Sequence, residues 1–267
     1  MVEVSTPEQF LTEIKKDNNT VNVTSDIDFN TLPITSSITL GLGLTVNGNG
    51  HSVYNLQTGT VLNQPMFRSG NSSPPPVFNQ INFYNMFRNE GQVFFSSFND
   101  NYITFNECNF QGRGYALFED CVLNKCAINW ESTNGYIGFN SSKNITWTYC
   151  YINIKVRTNI NKSLLPKSEY SSCYFGGEYT YTGTNSTYNI YPTDSSMSSC
   201  VLNIEDKSTG SGLSLSSLLF GTTSPSVINT TKAKKDGFSK SGLLEATDAE
   251  MKNAQALYDK GFNIIVT

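Results

Sequence analysis

The sequence predicts an all-β solenoid, a chain wound into short parallel strands that stack coil upon coil as a parallel β-helix. Three observations carry this reading. Each of the six cysteines heads a variant of one phrase: Cys108-Asn-Phe-Gln, Cys121-Val-Leu-Asn, Cys126-Ala-Ile-Asn, Cys150-Tyr-Ile-Asn, Cys173-Tyr-Phe-Gly and Cys200-Val-Leu-Asn. Their spacing is regular, since Cys126, Cys150, Cys173 and Cys200 follow one another at intervals in the twenties. A second register agrees, because "ITFNECNF" from Ile103 returns two periods later as "ITWTYCYI" from Ile145, with a fainter copy, "INFYNMF", from Ile81. A period in the low twenties broken by turns suits one coil of a solenoid, in which equivalent residues stack at the inter-strand spacing of about 4.8 Å.

Composition permits this and excludes other classes. A chain of 267 residues can bury a real core. Only 15% of residues are charged, and the abundance of Asn, Ser, Thr and Gly suits many short strands and turns. The net charge of -4 and pI near 5.1 offer no basic footprint for a phosphate backbone, so no nucleic acid partner is expected. The apolar clusters are too short to cross a bilayer as helices, so no membrane partner is expected either. "MVEVSTPEQF" shows neither a basic start nor an apolar core of a secretory signal, and assembly in a bacterial cytosol, where thiols stay reduced, is the expectation.

The first element, over residues 1–18, is a short capping helix. Thr6 stands as N-cap, Pro7 at the first helical position and Gln9 three residues after the cap, while Phe10, Leu11 and Ile14 form an apolar face. Such a helix covers the open end of a solenoid, which otherwise exposes core and unpaired strand edges. The coils follow over 19–222. Side chains alternate along a strand, so an inward cysteine puts the apolar residue two places later inward as well. Cysteine here is a small buried hydrophobe filling a core column. The Asn or Gly at the fourth position is expected to turn the chain through left-handed backbone angles. Cys121 and Cys126 are too close to share one column, so one must lie on another face. A disulfide ladder and a zinc site are the weaker readings: side chains in a stack run parallel, and there is no Cys-x-x-Cys and only one histidine. "SGNSSPPPV", 69–77, is a loop thrown out from the coils, since three prolines cannot form a central strand.

Beyond the coils, 223–245 reads as an extended linker with a lysine cluster, and 246–267 as a helix-strand attachment segment. Thr247 and Glu250 make a capping box, Met251, Ala254, Leu257 and Tyr258 fall on one helical face, Gly261 stops the helix, and "FNIIVT" is an apolar strand. So small a unit cannot bury its own apolar face. Met251, Leu257, Tyr258, Phe262 and Ile264 are therefore the candidate attachment residues.

Two resemblances add to this reading. "LTVNGNGHSVYNL", after a strand from Ile38, resembles the opening coils of the pectate-lyase-like right-handed parallel β-helix superfamily. This implies a right-handed single-chain solenoid. "TDAEMKNAQALYDKGFNIIV" resembles the C-terminal ends of structural proteins of phages that infect Gram-positive bacteria, which implies a virion protein. Enzymes of the β-helix superfamily cleave acidic polysaccharides. Their polygalacturonase type resembles a set of Asn-Thr-Asp, Asp-Asp, Gly-His-Gly and Arg-Ile-Lys motifs, none of which occurs here. The single histidine, His51, sits in a Gly-rich turn with no partner apparent nearby. Lyase chemistry needs clustered carboxylates for calcium and a base beside them; the nearest candidates are Arg113, Glu119, Asp120 and Lys125, and adjacent Glu119 and Asp120 point to opposite faces.

No catalytic residue, metal ligand or cofactor is assigned. The residue after each cysteine points outward, in a column Asn109, Ala127, Tyr151, Tyr174, Val201, and the exposed pair Tyr151 and Tyr174 is the candidate ligand-binding site, set against ordinary cross-coil aromatic packing. Trp147, in the repeat position of Phe105, is core. The expected function is a non-enzymatic head or tail decoration or host-adhesion component of a phage virion, assembled in the host cytoplasm. Its expected partners are other virion proteins through the C-terminal segment, a host-surface polysaccharide and further copies in three-fold packing. The alternatives are a polysaccharide lyase or hydrolase of the same superfamily and an extracellular bacterial adhesin.

Overall fold

Three-residue strands with an apolar centre and a closing Asn recur in the first half of the chain: Thr45–Asn47, Val77–Asn79, Thr104–Asn106 and Val122–Asn124 each bury their central residue and leave the flanking pair half-exposed. One face of each strand is thus apolar and the other wet, and parallel stacking lets every coil bury that face against the same core. This architecture is seen in a computed structural model, which describes residues 1–57, 64–71, 73–97, 101–132, 138–139, 145–159, 165–184, 187–191, 194–209, 212–233 and 238–262. Among the described residues the strands form a ten-stranded and a fourteen-stranded sheet, both parallel, with one further strand pair and a few short helices. In the ten-stranded sheet every strand lies beside that sheet's next strand in sequence, from Val2–Val4 to Leu219–Phe220, which makes the fold solenoid-like. Nine spacings give that sheet a breadth of roughly 43 Å. Coil lengths vary, since the step from Thr45 to its partner Val77 is almost twice that from Val227 to its partner Leu244.

Stacking places like on like. Phe78 and Phe105 stack with ring centroids 5.2 Å apart, and Phe83 and Phe110 at 5.3 Å, so the core centre is a pile of aromatic rings at the coil spacing. Trp147 is fully buried in the same region and its Nε1 donates to the carbonyl of Cys121 at 3.0 Å. Outside the core, Asn47 donates to Asn22 at 3.0 Å, Asn79 to Asn47 at 3.1 Å and Asn106 to Asn79 at 2.9 Å, an amide ladder that satisfies each polar end through its neighbours.

All six cysteines are free and buried. Cys108, Cys126, Cys150, Cys173 and Cys200 precede the paired residues Asn109, Ala127, Tyr151, Tyr174 and Val201, and so form one column at the start of strands in the fourteen-stranded sheet. Cys121 precedes Val122 and belongs to the ten-stranded sheet, which resolves its closeness to Cys126. Burial pushes the thiols of Cys108, Cys121 and Cys173 up, so they stay neutral.

Several expectations need correction. The left-handed residue is the one before each cysteine and not the fourth of the phrase: Glu107, Asp120, Lys125, Tyr149, Ser172 and Ser199 all have φ from 52° to 55°. Each thiol then points back at the carbonyl two residues earlier, for example Cys150 to Thr148 at 3.4 Å, closing the bend. The Asn at the fourth position has a different task, since Asn153 donates to Asn129 across coils at 3.1 Å. The faint repeat is also displaced. Ile81 stands in the column of Cys108, because Val77, Phe78 and Asn79 pair with Thr104, Phe105 and Asn106.

The N-terminal helix, Pro7–Glu13, has Thr6 as its cap and buries Phe10, whose ring meets Phe29 edge-on at 6.3 Å. Gln9 accepts from the amide of Ser5 and not of Thr6, so the reciprocal half of the box is shifted by one residue. A strand, Val2–Val4, precedes the helix and pairs with Val21 to Val23.

The range 223–245, expected as a linker, instead holds two strands of the stacked sheet, Ser226–Asn229 and the start of Leu243–Ala246. Ser226–Asn229 is buried at all four positions and pairs with Val201 and Leu202 on one side and with Leu243–Ala246 on the other. A strand buried on both faces shows no alternation, which is why the sequence hides it. The single amphipathic helix expected after Thr247 is two. Asp248–Met251 carries the Thr247–Glu250 capping box, and Asn253 caps Ala254–Asp259. This break splits the expected apolar face, leaving Ala254 exposed.

Candidate functional site

Outward side chains of the fourteen-stranded sheet repeat in register, and two of their columns line an open groove of about 970 Å³. The first column is amide: Gln111, Asn129 and Asn153 are successive partners. The second alternates in charge, Arg113 beside Glu131, Glu131 beside Lys155, Lys155 beside Glu178. Arg113 lies over the ring of Phe87, 4.8 Å from its centre. Glu178 binds Lys207 at 2.7 Å, and that hydrogen bond holds its carboxyl below the usual carboxylate range. Charges that alternate at about 4.8 Å cancel at a distance. The groove can therefore contact a long polar ligand through hydrogen bonds without a net charge to attract one of either sign.

Beside the groove stand the two tyrosines named from the sequence. Tyr151 and Tyr174 are register partners whose rings lie parallel, 1° between planes and 4.9 Å between centroids. Tyr151 is 52% exposed, whereas Tyr174 is half-buried, and its hydroxyl accepts from Asn203 Nδ2 at 2.7 Å. The next column members, Val201 and Val227, are buried beneath the C-terminal segment. Leu257 and Phe262 pack there with Ala246, flanked by Tyr174, Leu244 and Met251. Of the candidate attachment residues, Leu257 and Phe262 are thus spent on the chain's own coils, Met251 is half-buried against them, Tyr258 is 64% exposed, and Ile264 lies outside the described residues.

The lyase candidates are not brought together. Arg113 enters the groove, Glu119 accepts from Ser96 at 2.6 Å, Asp120 is buried in its bend, and Lys125 pairs with Glu107 across the turn at 3.4 Å. His51 does have a partner: its Nδ1 is 3.5 Å from Asp26 Oδ1, on the surface of an early coil. Asp26 also accepts from the amide of Ser52, which fits a turn-holding role. It lies one coil upstream in the chain and is so invisible to a search for near neighbours. Arg88 was also hidden. It is buried within the coil, its guanidinium donating to the carbonyls of Val93 and Gln64, and burial holds its pKa down to about 10, still charged at neutral pH. Among the described residues no group of three or more His, Cys, Asp or Glu is placed to hold a metal ion.

Compared with protein-family models, curated proteins and solved structures, the chain has no match in any of the three.

Proposed function

We propose that this chain is a right-handed parallel β-helix of the pectate-lyase-like kind that serves as a non-enzymatic structural and adhesion component of a phage virion, contacting host-surface glycan along its side. The observation that carries the adhesion part is the parallel tyrosine pair beside an amide-lined groove: an aromatic face next to paired donors and acceptors is what a sugar ring requires. A stacked core of buried rings gives that surface a rigid support. The virion part rests on the resemblance of the C-terminal twenty residues to phage structural proteins. Mass spectrometry of density-purified virions, with particle-free supernatant alongside, tests it. Stoichiometric recovery with particles is the expected result, and recovery only in the supernatant overturns it.

One observation favours the enzymatic reading. Glu131 and Glu178 face the groove two strands apart, about 9–10 Å by strand spacing, near the upper end of the separation used by inverting glycosidases. Lys155 stands between them, however, and Glu178 is held ionised by Lys207, which suits a general acid poorly. Release of reducing ends from a surface polysaccharide, lost in Glu131→Gln, would establish cleavage.

A further inference from the structure

The outward column that carries the tyrosine pair has a gap at Ala127. Below it, the rings of Tyr174 and Tyr151 stack at 4.9 Å; above it, Asn109 Nδ2 donates to Asn82 Oδ1 at 2.6 Å. Both ladders stop at Ala127, which pairs with Tyr151 on one side and Asn109 on the other. From the Tyr151 strand to the Asn109 strand is two strand spacings, roughly 9.6 Å. A ring set at the level of Ala127 would then lie about 4.8 Å from Tyr151, the separation that the tyrosines themselves adopt.

The walls of this gap are chemically distinct. One is the free face of Tyr151, whose other face is covered by Tyr174. The opposite wall is Asn109, to whose Oδ1 no described residue donates. Toward the groove stands Asn129, exposed, whose Oδ1 accepts from Asn153 while its Nδ2 donates to no described residue. We infer that the gap at Ala127 is a subsite for one pyranose ring, with its C–H face on Tyr151, one hydroxyl donating to Asn109 and another accepting from Asn129. A flat aromatic ring would meet Tyr151 but form no hydrogen bond with either amide, whereas a pyranose meets all three groups, which is the physical reason for preferring a sugar. This assignment deepens the glycan-contact reading and rests on it.

The test uses the full chain and saturation-transfer NMR with cellohexaose, maltohexaose and the hexamer of β-1,4-linked N-acetylglucosamine as probes, and with indole as the aromatic alternative. At least one hexasaccharide should bind with transfer to its ring C–H protons. Ala127→Tyr, whose own ring continues the stack, should abolish that binding while the far-UV spectrum stays unchanged. Tyr151→Ala should weaken it about tenfold, and Tyr258→Ala, a more exposed tyrosine on the C-terminal segment, should leave it as it was. Binding that survives Ala127→Tyr, signal from indole alone, or no signal from any hexasaccharide overturns the subsite. Recovery of the chain with particles alongside such a failure would leave the virion reading standing. Sugar binding as described by a chain found only in the supernatant would support the subsite and sink the virion reading.

Discussion

Cys150 sits in the middle of the thiol column, 2% exposed, its Sγ 3.4 Å from the carbonyl of Thr148. Cys150→Ala removes one buried heavy atom, comparable to a methylene, and should cost about 1–1.5 kcal/mol, or roughly 2–6 °C in the unfolding midpoint of a chain this size. Cys150→Val adds branching to a filled column and should cost about 1–2 kcal/mol. Cys150→Asp differs in kind. A carboxyl there has no cation to pair with in the column and enters the folded state protonated, so its folded pKa is raised above the unfolded value of about 3.9. The folded state then binds the proton that the unfolded state releases, and stability falls as pH rises above about 4. At about pH 7.5 the loss amounts to roughly 5 kcal/mol, and near pH 4 most of it disappears. Urea titrations followed by far-UV circular dichroism at both pH values measure this directly. An Asp variant as stable as the Val variant at pH 7.5, or one indifferent to pH, would show that the column is not a sealed core.

Four further outcomes follow from named contacts. Gly177→Ala should destabilise by about 3 kcal/mol or more, because φ is +99° and a Cβ would lie 1.9 Å from the carbonyl oxygen of Ile154; Gly50→Ala, at φ +82° in open space, should cost clearly less in the same thermal melt. The carboxyl of Glu250 is lowered from 4.5 to about 2, first by the Thr247 amide and then by Lys260, so its contribution is present above about pH 4.5 and lost as pH falls toward 2. Protection of 247–251 against hydrogen exchange, relative to the intrinsic rate at each pH, should fall across that window, and in Glu250→Gln it should not change with pH. Leu257→Asp should lift the C-terminal segment from Val201 and Val227, exposing 247–262 to limited proteolysis while the stacked strands stay protected. Removal of everything after Gly242 should be more damaging, since it takes away the strand Leu243–Ala246 as well.

The sequence by itself determined the parallel stacking, the inward cysteines and the outward tyrosine pair. All three depend on alternation within a strand and on a phrase that recurs coil after coil, and both are local properties that a single sequence displays. Tertiary structure decided what lies between coils. Glu107, Lys125, Tyr149 and Ser172 have no shared preference for left-handed angles, and they adopt them because two strands must meet at a fixed corner there. Ser226–Asn229 and Leu243–Ala246 became strands because the C-terminal segment covers their outer face, a contact no periodicity announces. The pairing of His51 with Asp26 and the charge alternation from Arg113 to Glu178 likewise arise only once coils of unequal length are brought into register by their hydrogen bonds.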